Sequence, residues 1–391
     1  MKKVLIRGPL LTQSGYGEHA RQVYRYCETR KDWDLAAQVL QWGITPWNVD
    51  ADAENGLIGR IMSNSKPPQG KFDITIQIQL PHEWDPSLGN YNIGVTAGIE
   101  TDRSSNEWAT VHREKMDLVI VPSEHAKSSL RVSGTGKEKT PVVVVPEAYF
   151  EELLEASTTD PIAHIPTGKN FLVVGTLTAD DPAADRKNLL SSIRWFLQRF
   201  DGDDSVGLIV KTTKGRDTSI DRELVRKMLR NLVAKSGAKR PPRVYMLHGS
   251  MTRQEMRDLY RSPKVSAFVS STRGEGFGLP LLEAAVVGIP VVATDWSAHT
   301  EFLEGPSFLR VQHDLRPIPP SRADGKIFAP GSKWAEAREG NFKKKLSQAI
   351  ADTEQIREAA LSLSQKLQAS HSLSTIFGAY DVALQGTPAA R

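Results

Sequence analysis

Residues 265–294, VSAFVSSTRGEGFGLPLLEAAVVGIPVVAT, decide the fold. An apolar run of strand length (265–270) enters a glycine-rich turn, a helix opens near Leu279, and a second β-branched run follows at 290–294. Pro280 suits a first helical turn, where the N–H it lacks would have no partner. Strand, loop, helix and strand in this order are the building block of a parallel sheet. Gly274, Gly276 and Gly278 allow backbone conformations that side chains forbid and let a ligand approach the main chain. The free amides of residues 277 to 281 then form an anion site. A helix terminus alone contributes only about 0.3–1 kcal/mol, so holding a diphosphate calls for cations as well. Glu275 lies before those amides and Glu283 about one turn beyond Leu279. Carboxylates only accept hydrogen bonds, and paired hydroxyls are their natural ligands. Two of them around a phosphate-sized site predict hydroxyls, a diphosphate and hydroxyls again, the order of groups in a nucleotide sugar.

Outward from this stretch the same alternation repeats. Strands are expected at 171–175, 206–211, 243–248 and 307–310, each separated by helix-length amphipathic sequence, which describes a doubly wound parallel sheet. Before them, a segment at 156–169 containing Pro161, Pro166 and Gly168 reads as a linker. A first α/β domain precedes it, with strands at 3–7, 35–40, 73–80, 92–97, 117–121 and 142–146 and a helix from about Ser14 to Thr29. The Pro/Gly/Asn-rich stretch 45–70 has no assignable element, and 334–388 reads as mostly helical with a break near His371. The expected domains are therefore 1–160, 161–370 and a terminal helix, 371–391, that crosses back to the first. Tandem domains of this kind leave a cleft at the carboxyl ends of their strands, where ligands of open α/β sheets bind.

Composition narrows the function classes. The 391 residues carry 50 basic and 46 acidic side chains, a formal charge of +4, too mild to demand nucleic acid or anionic lipid, although local basic clusters could bind phosphates. Cys27 is the single cysteine, so neither an intramolecular disulfide nor a cysteine-based zinc site is expected, and a reducing, cytoplasmic setting fits. No apolar run reaches the roughly 18 residues of a membrane span, which leaves peripheral membrane contact open.

The stretch EGFGLPLLEAAVVGIPVVATDWSAHTEFL resembles the donor-site signature of glycosyltransferase family 4, retaining enzymes of the GT-B fold, including its Glu, seven residues, Glu spacing. The resemblance implies two Rossmann-like domains, an acceptor-binding one first and a nucleotide-sugar-binding one second. It implies that Glu275 contacts the donor sugar, that Glu283 binds the ribose, and that the amides of Phe277, Gly278 and Leu279 meet the phosphates and sugar, with Gly276 counted among the donor-binding residues. VVGTLTADDPAADRKNLLSSI resembles the family's second phosphate element, with Arg186 and Lys187 on its basic pair. Many members carry an Arg where this chain has Thr176, and Lys211 is the candidate replacement cation. GPLLTQSGYGEHAR resembles the family's first glycine loop, placing Gly15, Tyr16 and Gly17 near the sugar phosphate. Glu100 falls where many members have a sugar-contacting His, and it joins Glu275 and Lys187 as a catalytic candidate. His248, at the end of its strand, is counted with the donor-binding residues. Trp42 and Trp47, in the loop-like QWGITPWN, and Asp102 are candidates for the acceptor.

The implied reaction is metal-independent transfer of a sugar, with retention, from a UDP-, GDP- or ADP-sugar to a hydroxyl acceptor. That donor is a co-substrate, and no cofactor is expected. Glycan, lipid-linked, small-molecule and protein acceptors remain open, as does a hydroxylated nucleic-acid base; monomer and homodimer are equally open. His82, His125, His248, His299 and His313 show no metal-ligand spacing, and the acids of DGDD (201–204) and ADD (179–181) fall in polar loops. The alternatives are a nucleotide-sugar epimerase or a non-catalytic nucleotide-sugar binding protein of the same fold. GYGEHA also matches a dinucleotide fingerprint, but seven residues separate Arg7 from its first glycine, against a dehydrogenase.

Overall fold

The computed structural model describes residues 1–66, 70–134, 139–179, 181–351 and 353–390. The chain forms two compact units. The first comprises Met1–Ala148, Ala323–Ser332 and Leu373–Arg391, the second Tyr149–Arg322 and Lys333–Ser372.

In the first unit, strands β1 (Lys2–Gly8), β2 (Trp33–Val39), β3 (Phe72–Ile78), β4 (Gly89–Val95), β5 (Leu118–Val121) and β6 (Val142–Val144) make a parallel sheet of order β2-β1-β3-β4-β5-β6. Helices α1 (Gly15–Glu28), α2 (Ala53–Asn64) and α3 (Glu124–Ser133) lie between these strands in sequence. Val4, Ile6, Ile74, Ile76 and the sole cysteine, Cys27, are buried in one core with Leu373, Ile376 and Tyr380 of the terminal helix α10 (Leu373–Leu384). α2 was not legible in the 45–70 stretch. Glu54, Asn55 and Gly56 take left-handed dihedrals inside its first turn, which interrupts the helical periodicity, and Glu54 is held there by Arg25 at 3.0 Å.

In the second unit, β7 (Lys169–Val174), β8 (Val206–Thr212), β9 (Arg243–His248), β10 (Val265–Ser270), β11 (Val291–Thr294) and β12 (Phe308–Val311) form a parallel sheet of order β12-β11-β10-β7-β8-β9. Phe171 and Val173 pack into one core and Leu172 into another, as strands covered on both faces require. The covering helices are α4 (Leu189–Arg199), α5 (Ser219–Ala234), α6 (Arg253–Tyr260), α7 (Leu279–Val286), α8 (Glu339–Ala351) and α9 (Glu354–Ser370). The order reverses between β7 and β10. At that switch point the two adjacent strands send their following loops apart, and a crevice opens at their carboxyl ends.

Three expectations change. The helical reading of 334–388 fails at its start, because β13 (His313–Pro317) and β14 (Lys333–Ala337) form an antiparallel hairpin. The 156–169 segment is no free linker: Ile162 and Ile165 enter a core, and Thr158 and Thr159 donate to Asp258. The units divide at Ala148/Tyr149 rather than at 160, and Ala323–Ser332 joins the first. Among the described residues no helix is long and apolar enough to cross a membrane.

Candidate active site

At the switch point of the second unit, the loops after β7 and β10 meet. Glu275 is only 5% exposed, and both its oxygens accept from Lys187 Nζ, at 2.6 and 2.8 Å. Arg186 stands 3.8 Å from the same carboxylate and donates to the Gly274 carbonyl at 3.1 Å. Burial alone would raise the Glu275 pKa, but Lys187 and Arg186 outweigh it and hold the carboxyl below its ordinary value. The site therefore holds a buried negative charge against two cations, in the loop that leads into α7.

That helix start is ready for an anion. Gly278 is its N-cap with φ 107°, a conformation closed to most side chains, and an added Cβ would meet Leu281 and His299 at 3.2 and 3.3 Å. The amides of Leu281 and Leu282 turn back to the Gly278 carbonyl, whereas those of Phe277, Gly278 and Leu279 donate to no protein group among the described residues. The Phe277 ring is core, packed on Phe302, so only its backbone is available to a ligand. Gly276 stands in the same turn. Glu283, half-buried one turn on, accepts from the Tyr260 hydroxyl at 2.9 Å.

Residues that the sequence reading passed over hold this loop. Ser297 has φ 80° and ψ −168°, a region essentially reserved for glycine. Its hydroxyl accepts the Glu275 N–H at 2.9 Å and lies 3.5 Å from Nδ1 of the fully buried His299. His299 Nε2 is 2.7 Å from the Thr294 carbonyl, so Nε2 carries the proton and Nδ1 is left to accept from Ser297. Arg273 donates to the carbonyls of Pro182 and Asp185 at 2.8 and 2.6 Å, pairs with Glu336 of β14 and lies 5.3 Å from the Trp334 ring centre. One guanidinium thus joins the cation loop, the acid loop and the hairpin. Its signal was a lone arginine inside STRGEG, where a solvated loop has no use for a buried cation.

The remaining donor candidates sit around the ends of β7, β8 and β9. Thr176 is exposed, 3.3 Å from the Thr213 hydroxyl. Lys211 is buried, its ammonium donates to the Gly249 carbonyl at 2.5 Å, and burial lowers its pKa. Its charge is thus committed to the turn after β9. Both ring nitrogens of His248 are buried with no hydrogen-bond partner among the described residues, and burial lowers the imidazole pKa.

In the first unit the loop after β1 runs from Pro9 to Ser14, and Ser14 caps α1 by accepting the Gly17 N–H at 3.0 Å. A Cβ at Gly17 would stand 2.0 Å from the Thr12 carbonyl, so the protein's own backbone demands this glycine; at Gly15 no described residue would lie within 4 Å. GYGEHA lies in the first turns of α1, six residues past the strand, which is not dinucleotide-loop geometry. The Tyr16 hydroxyl accepts the Ala97 N–H at 3.1 Å and lies 3.0 Å from Thr96 Oγ1. Its ring stacks on Trp42 with centroids 4.0 Å apart. Trp47 is 43% exposed, bridged to Thr12. Glu100 and Asp102 are half-buried in the segment after β4, and Glu100 is near enough to Tyr16 to help raise its phenol pKa, after burial. Asp180 of the ADD acids lies outside the described residues. No group of three or more His, Cys, Asp or Glu converges as a metal would need among the described residues.

This geometry has recognisable relatives. The family described as family 4 glycosyltransferase in conflict systems matches residues 99–376. HepE from Anabaena, solved with UDP and glucose, superposes with a TM-score of 0.67 over 98% of this chain and 99% of its own, at 12% identity. Sucrose-phosphate synthase from Thermosynechococcus elongatus gives 0.64 over 97% of each chain at 13% identity. The apo structure of OtsA gives 0.62 over 99% of this chain and 100% of its own at 12% identity. At such identities the likeness is one of fold, that of GT-B glycosyltransferases. No curated protein sequence matches the chain. The family match spans well over half the residues and runs through Lys187, Glu275 and the helix that opens beside them, and on that ground the chain belongs to the family 4 glycosyltransferases of conflict systems.

Proposed function

We propose that the protein transfers a sugar from a nucleoside-diphosphate sugar to an acceptor hydroxyl with retention of configuration. The contact of Lys187 and Arg186 with a buried Glu275, beside three unused amides at the start of α7, carries this reading. A diphosphate over those amides takes up part of the positive charge that Lys187 and Arg186 now direct at Glu275. Glu275 then accepts from the sugar hydroxyls and Glu283, steered by Tyr260, from the ribose. The acceptor oxygen bonds to the anomeric carbon on the face from which the diphosphate departs. The bond from that carbon to the phosphate oxygen breaks, and the acceptor's proton passes to the leaving phosphate. The chain's share is positioning and charge stabilisation, and no side chain forms a covalent intermediate.

Thr176, Lys211 and His248, at the ends of β7, β8 and β9, serve the donor, with Lys211 in place of the cation missing at Thr176, and Gly15, Tyr16 and Gly17 are the first unit's donor-binding candidates. Trp42, Trp47 and Asp102 serve the acceptor, and Glu100 orients its hydroxyl. Because HepE holds UDP and glucose, UDP-glucose is the first donor to try, followed by GDP- and ADP-sugars. A bound donor at 100 times its dissociation constant stabilises the fold by about 2.7 kcal/mol, a readable thermal shift. Nucleoside-diphosphate release, with the product's anomeric configuration read by NMR, tests the reaction. An epimerised donor without release points to an epimerase, and binding without turnover to a binding protein; either result overturns the proposal.

A further inference from the structure

Residues 214–243 hold ten basic side chains and three acidic ones, a net +7, while the whole chain carries +4, so everything outside this segment sums to −3. The segment comprises α5, its flanking turns and the first residue of β9, an edge strand of the second sheet. Its acids are used internally: Asp221 accepts from the amides of Arg216 and Thr218, Asp217 from the Ser250 hydroxyl, and Glu223 pairs with Arg226. Arg222, Lys227, Arg230, Lys235, Lys239 and Arg243 are exposed, and among the described residues none of them forms an ion pair. α5 turns Val225 and Leu229 into the core, which leaves Lys227 and Arg230 on its outer side. Like charges three and four residues apart, as in Arg226, Lys227 and Arg230, repel one another along a helix face. A polyanion laid along the strip removes that repulsion.

We infer that this strip is a docking surface for double-stranded nucleic acid, held through its phosphates. The inference is independent of the glycosyl-transfer reading. A duplex fits better than a single strand, because residues 214–243 contain no aromatic side chain on which unpaired bases could stack. It fits better than a membrane, because the strip exposes only two large apolar side chains, Ile220 and Leu224, too few for the apolar face of an interfacial helix. The 16 residues of α5 span about 24 Å, close to seven base-pair steps of duplex.

The test is fluorescence anisotropy of a labelled 20-base-pair DNA duplex with the full chain, titrated from 25 to 200 mM NaCl. Four to six phosphate contacts give a log–log salt slope of about −4 to −5. The triple variant Arg222→Gln, Lys227→Gln, Arg230→Gln, checked for an unchanged melting curve, is expected to flatten that slope by about 3 and weaken binding about 100-fold at 50 mM salt. The inference is overturned by absence of duplex binding at 25 mM, by a slope that the triple variant leaves unchanged, or by a single strand or phosphatidylserine vesicles that displace the duplex.

Discussion

The two units solve the same folding problem and fill their strand ends differently. Both place a loop and a helix start after the first strand of a parallel sheet. In the second unit the loops carry charge: two cations and a buried acid meet beside unused amides. In the first they carry rings and neutral dipoles, with Tyr16 stacked on Trp42 and pinned by Thr96 and Ala97. Parallel-sheet topology fixes where ligands approach, whereas the chemistry of each approach is set by a few loop residues. Under the proposed function, the highly charged leaving group goes to the charged unit and the hydroxyl acceptor to the aromatic one.

The contrast breaks most decisively at Lys187. Lys187→Ala is expected to lower nucleoside-diphosphate release by about 100-fold or more, the typical loss of one preorganised electrostatic stabiliser. Circular dichroism should show the fold retained, and a rate near wild type would remove the second unit from the chemistry. Ser297→Gly has an effect of mixed sign. Glycine relieves a backbone conformation that costs about 1–3 kcal/mol, so the melting temperature rises or holds. The hydrogen bond to the Glu275 amide is lost at the same time, and turnover falls several-fold, in line with about 0.5–1.5 kcal/mol. A purely structural Ser297 would move both readings together.

In the first unit, Trp42→Ala is expected to leave donor hydrolysis within about twofold while transfer to an acceptor weakens about three- to tenfold, the scale of a lost aromatic contact. Equal losses in both assays would erase the division of labour. The smallest effect is shared between the units. Burial lowers the imidazoles of His19, in the first, and His371, in the second, to about 4. The unfolded chain takes up these protons near pH 6.5 and the folded chain does not until about 4, so stability falls as pH drops through that window. Melting temperatures of His19→Gln and His371→Gln against pH should each fall less steeply than wild type.

Much of this site was legible in the sequence because its information is local. Gly278 at a positive φ, Pro280 in the first turn and acids on either side are read from a dozen consecutive letters. What escaped depends on distant partners. A serine gives no sign that it will sit at φ 80° until His299 and the Glu275 amide surround it. KWAEA is made largely of helix formers, and only pairing with His313–Pro317 makes it a strand. The same limit applied to the basic strip: a mild total charge concealed it, because the rest of the chain is acidic.

Cys27, the only thiol, lies fully buried in the core of the first unit, and burial raises its pKa well above the ordinary range. Since a thiolate is the reactive form, a thiol reagent can modify the native protein no faster than that core opens. The molecule therefore carries its own stopwatch for one half alone, and timing it with and without a donor nucleotide would tell whether a ligand bound in one half steadies the other.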